Sequence, residues 1–114
     1  MATITEDYVS FETAKLLKEK GMDISCFNHY VQKNNNDGTS EAVTVCTLQM
    51  AMKWLREVHN IFIEISVSID LNGNYHYHYF ILDKECKYVR KEYTDWDYEE
   101  AAEEAIKYCL ENLI

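Results

Sequence analysis

The chain has 114 residues, 47% of them apolar, and a formal charge of −9, which is enough material for one compact core and too little for two ordinary domains. Binding to phosphates draws on cations that displace counterions, so the net negative charge speaks against nucleic acid and favours a protein or cationic partner. No apolar run approaches the ~18 residues of a membrane span; the longest stretch, Ile61 to Ile69, is interrupted by Glu64, Ser66 and Ser68. The four cysteines, Cys26, Cys46, Cys86 and Cys109, are widely spaced, form no CxxC pair and follow no apolar leader, so they are expected to be reduced thiols in a cytoplasmic protein.

Ser10 reads as the N-cap of a first helix from Phe11 to Lys20, with Gly21 as its stop. Strand-favouring residues run from Cys26 to Val31 and from Ala42 to Cys46; the polar stretch Lys33 to Ser40 between them is expected to form a mobile hairpin tip. Thr47 caps a second helix from Leu48 to about His59. On it Leu48, Ala51, Met52, Leu55 and Val58 share one arc, and Gln49, Lys53, Arg56 and Glu57 the other. Met50 and Trp54 widen the apolar arc, so the helix is expected to pack on a sheet and also on a second helix or a partner subunit.

From Ile61 to Ile69 isoleucine and valine alternate with Glu64, Ser66 and Ser68, the period of a strand with one buried face. A two-residue Asn72-Gly73 turn would place His76 and His78 among the aliphatics. A three-residue loop starting at Asp70, with Gly73 left-handed, pairs Ile65 with Tyr79, Val67 with Tyr77 and Ile69 with Tyr75. The second register keeps the apolar groups together and gathers Ser66, Ser68, His76 and His78 on the other face; it is the one expected. A further strand is expected at Cys86 to Lys91, then a helix from Tyr98 to about Asn112 opened by the capping box Asp97/Glu100. In that helix Ala102, Ala105, Ile106, Cys109 and Leu113 form the buried face, and Glu100, Glu103, Glu104 and Glu111 the exposed one. The class expected is α+β, an antiparallel sheet packed by helices in the order α-β-β-α-β-β-(β)-α. Residues 1–114 form a single domain in this reading, with the N-terminal helix and hairpin of residues 8–46 appended to a core of residues 47–114.

Catalytic signals are sparse. His76 and His78, two apart on a strand, point the same way about 7 Å apart and could supply half of a metal site, but no third ligand stands at diagnostic spacing, and a solvent-facing strand carrying Ser and His is the reading preferred. His59 fits the last turn of its helix as a structural group. Cys46, beside a helix N-terminus, is a position where a thiol pKa can be lowered. The glycines, Gly21, Gly38 and Gly73, are isolated, so no phosphate loop is present and no cofactor is expected. Tyr75, Tyr77 and Tyr79 read as a sheet face covered by helices. Between Glu92 and Ile106 seven acidic residues occur without a lysine or arginine, directly after Lys84, Lys87, Arg90 and Lys91; such a run is a solvated face or a binding surface.

From Thr47 onward the element order resembles that of double-stranded-RNA-binding domains, and the spacing of Ala101, Ala102 and Ala105 is similar. Where that family places lysines at the start of the last helix, this chain has acids, so the resemblance speaks to topology and against the activity. A second resemblance is carried by Tyr8 to Glu12, Ala14 to Gly21, Leu48 to Ile61 and Tyr108 to Ile114. These segments, Trp54-Leu55-Arg56-Glu57-Val58-His59-Asn60-Ile61 above all, resemble those of short uncharacterised proteins encoded by gut anaerobic bacteria and their phages. That family has no assigned activity, so the resemblance implies a phage or mobile-element context and nothing further. The expected function is that of a small non-enzymatic accessory protein binding a protein partner or a second copy of itself, through Met50, Trp54, Glu100, Glu103 and Glu104. A metal-dependent hydrolase using His76 and His78 is the alternative, and an RNA-binding module a further one that the acidity disfavours.

Overall fold

The computed structural model describes residues 6–23 and 29–114, without the side chain of Asp95. The expected strand start at Cys26 therefore lies outside the described residues. The elements are α1 (Phe11–Glu19), β1 (His29–Asn34), β2 (Ser40–Val45), α2 (Leu48–His59), β3 (Phe62–Ile69), β4 (Tyr75–Leu82), β5 (Tyr88–Trp96) and α3 (Tyr98–Asn112). The class is α+β: β1 and β2 make an antiparallel ribbon, and β3, β4 and β5 an antiparallel sheet in that order.

Capping residues set each helix. The Ser10, Thr47 and Asp97 side chains accept from the backbone N–H groups of Thr13, Met50 and Glu100, satisfying donors that a first turn leaves free. α2 ends where Asn60 turns left-handed at φ 55° and its N–H reaches Leu55 O.

All three hairpins use one turn design. Asn35, Asp70 and Asp83 each receive a backbone bond from the residue three on and donate one to the carbonyl four on. The third loop residue, Gly38, Gly73 or Cys86, is left-handed at φ 87°, 84° and 61°. Asp70 and Asp83 stiffen their loops by accepting two backbone N–H bonds on Oδ1. The register this sets between β3 and β4 pairs Ile65 with Tyr79, Val67 with Tyr77 and Ile69 with Tyr75, as the three-residue loop requires.

The last strand differs from expectation. Asp83 to Lys87 are consumed by the turn, so β5 begins at Tyr88 instead of Cys86 and continues past Lys91 to Trp96. It follows β4 through two register shifts, and Thr94 anchors its far end by donating its hydroxyl to Tyr77 O.

α3 lies across β3, β4 and β5, α2 against α3 and β3, and α1 against α3 and β2. Small side chains at Ala101, Ala102 and Ala105 let α3 approach closely, and Ile106, Cys109 and Leu110 fill the space beneath. Leu110 takes the place expected for Leu113, which caps the helix end and is exposed. One core cluster joins Val9, Phe11, Leu17, Val43 and Val45 to Leu55, Tyr79, Ile81 and Ile106.

The helices do not reach the end of the covered sheet face. Tyr79 and Ile81 are buried there, whereas Val67, Ile69 and Tyr75 stay 53%, 60% and 67% exposed, so the tyrosine stripe is core at one end and surface at the other. On the opposite face Phe80 sits between the rings of Tyr88 and Tyr93, at 5.8 and 5.4 Å, in an aromatic row outside the core.

Candidate functional site

α2 presents two faces. Leu48, Ala51, Met52 and Leu55 are buried, as their spacing requires. Val58, expected among them, points outward and is 56% exposed, and Met50 on the same outer face is 40% exposed. Trp54 lies between these two along the helix, half-buried, with the His59 ring edge-on to it at 4.6 Å. Together with Lys20, Gly21, Met22 and Asp23 beyond α1, this face forms a groove of about 560 Å³. Its floor is apolar and its rim carries Lys20, Lys53, Asp23 and Glu57. The two methionines, Met22 and Met50, give it side chains that adapt to different shapes. Met50 and Trp54 were legible from the width of the apolar arc. Met22 was not, because only the tertiary path after α1 brings it there.

The acidic residues gather elsewhere. Asp7, Glu99, Glu100, Glu103 and Glu104 line a second hollow of about 380 Å³ together with Tyr8, Leu48 and Trp96. The Asp97 carboxylate raises the pKa of Glu100. Glu103 departs from the expected exposed position. It is half-buried, and its Oε1 accepts from the Thr13 hydroxyl at 2.6 Å and the Ser10 backbone N–H at 3.0 Å. It ties α3 to the start of α1, while Glu100 and Glu104 remain on the surface.

His76 and His78 share the open sheet face, and each has protein partners. His76 Nε2 lies 2.7 Å from Asp70 Oδ2. That bond, with the Asn74 and Asn72 backbone N–H groups, lowers the Asp70 pKa to about 2. His78 Nδ1 accepts the Thr94 backbone N–H at 2.9 Å, so in the neutral ring the proton sits on Nε2 and is donated to Ser68 Oγ 2.8 Å away. That tautomer is the wrong one for withdrawing a proton from Ser68, which removes a serine-histidine pair from consideration. Among the described residues no group of three or more His, Cys, Asp or Glu side chains is placed to hold a metal ion.

Two of the thiols are buried. Burial raises the pKa of Cys46 to about 11 and that of Cys109 to about 12. A thiol beside a helix N-terminus can have a lowered pKa, but Cys46 is sealed in the core, and there burial outweighs the lowering by its backbone hydrogen bond. Cys86 is exposed in its turn, and Cys26 lies outside the described residues.

No family model, curated protein or solved structure matches the chain. No helix among the described residues is long and apolar enough to cross a membrane.

Proposed function

We propose that the chain is a small non-enzymatic accessory protein of a phage or other mobile element, acting by protein–protein interaction through the outer face of α2. The groove carries this reading: Met50 and Val58 hold apolar surface in water beside Trp54, with opposite charges at the rim. A groove with an apolar floor and a charged rim suits an amphipathic helix that inserts apolar side chains along one stripe. The Glu100 and Glu104 surface offers a separate face to cationic groups of a partner. The mobile-element context rests on the resemblance carried by Trp54 to Ile61 and the other matching segments.

Photo-crosslinking from position 58 in producing cells tests the proposal. The expected result is one discrete adduct, absent when the crosslinker is moved to Arg56 and lost on Met50→Glu. An identical adduct from position 56, or none from position 58, overturns it.

A further inference from the structure

The two edges of the three-stranded sheet are treated differently. β5 is bulged at two places and carries Arg90, Lys91 and Glu92, the devices that keep an edge strand from pairing with a foreign one. β3 has no bulge and a single charge. Its register with β4 is unbroken from Phe62 to Ile69, it contains no proline, and Glu64 is its one charge. Because the Asp70 N–H is bonded to Asn74 O, the alternation of an antiparallel ladder turns the N–H and C=O groups of Ile69, Val67, Ile65 and Ile63 away from β4. No other described strand meets them.

The sequence of this edge is complementary to itself. Read antiparallel about Ser66, Ile63 faces Ile69 of a second β3 and Ile65 faces Val67, so every outward backbone group meets an outward group. Both members of each pair fall on the apolar face. Glu64 falls opposite Ser68 and not opposite another Glu64, so no like charges meet. The pairing also sets the exposed Val67 and Ile69 of one copy beside Ile65 and Ile63 of the other, which are half-buried under helices.

We infer that a second copy of this chain pairs with the β3 edge about a two-fold axis at Ser66, joining two three-stranded sheets into one of six strands. The inference stands on the strand edge alone and is independent of the α2 groove.

Sedimentation equilibrium on wild type, Ser66→Lys, Ser66→Glu and an equimolar mixture of the two variants tests it. The wild type is expected to be a dimer. Each variant places like charges across the axis and weakens the dimer by up to about fivefold, and the mixture restores it as a Lys–Glu heterodimer. Ser68→Lys, on the exposed part of the strand, provides a test of opposite sign: it faces Glu64 of the second copy and tightens the dimer severalfold. A wild type that stays monomeric at millimolar concentration overturns the inference. A dimer indifferent to the Ser66 and Ser68 variants overturns it as well, since that dimer uses another surface. Thermal melts by circular dichroism confirm that each variant is folded. If a Ser66 variant is not, the Ser68→Lys result decides.

Discussion

Replacing Glu103 with alanine tests whether this residue of the acidic run belongs to the structure instead of the binding surface. The Thr13 hydroxyl is fully buried and donates to Glu103 Oε1 at 2.6 Å. Its other side-chain neighbour, Ser10 Oγ at 3.2 Å, is already donating to it. Without Glu103 the buried hydroxyl loses its acceptor and the Ser10 N–H its carboxylate, a loss of about 2 kcal/mol for hydrogen bonds to a charged group. In a domain of this size that lowers Tm by roughly 8 °C. Glu104→Ala, one position along and exposed, should stay within about 0.5 kcal/mol of wild type. Urea unfolding of Glu103→Ala, Thr13→Val and the double variant gives the coupling, expected at about 1–2 kcal/mol. Equal stabilities for Glu103→Ala and Glu104→Ala, or no coupling to Thr13, would refute the reasoning.

Cys86 holds the left-handed position that glycine fills in the other two turns, so Cys86→Gly should stabilise by about 1 kcal/mol and Gly73→Ala destabilise by a similar amount. At Gly73 no atom crowds an added Cβ, so the effect is one of backbone conformation, read as opposite shifts in the urea midpoint. Thiol alkylation followed by mass spectrometry should modify Cys86 well before Cys46 and Cys109, whose buried thiols react only on unfolding. Fast labelling of Cys46 in the native protein would count against its packing. Asp70 has a folded pKa of about 2 against an ordinary 3.8, so its stabilising contribution is present above pH 4 and disappears as the pH falls towards 2. Asp70→Asn should flatten that part of the acid-denaturation curve; an unchanged curve would show that the Asp70–His76 contact is not formed.

What was legible in the sequence followed from local rules. The caps at Ser10, Thr47 and Asp97, the α2 bounds and the β3–β4 register all come from short-range chemistry and the period of two. β5 was misread because its alternation is interrupted by bulges, and because a cysteine stands where a turn glycine would have marked the strand start. Glu103 was misassigned because helical periodicity treats every glutamate on an arc alike. The Thr13 hydroxyl that selects it lies 90 residues away in the chain. The α2 groove was half visible: Met50 and Trp54 announced surplus apolar surface, but the turning of Val58 outward and the arrival of Met22 depend on how α1 is docked. The aromatic row of Phe80, Tyr88 and Tyr93 went unseen for the same reason that β5 did.

The most direct test of the groove as a protein-binding surface is calorimetric titration of the partner captured from position 58 into wild type and Met50→Glu. Met50 is exposed, so the substitution leaves Tm within a few degrees of wild type. The account predicts binding weakened about thirtyfold or more, as expected when a charge enters an apolar contact centre. Equal affinity for the two proteins would contradict it.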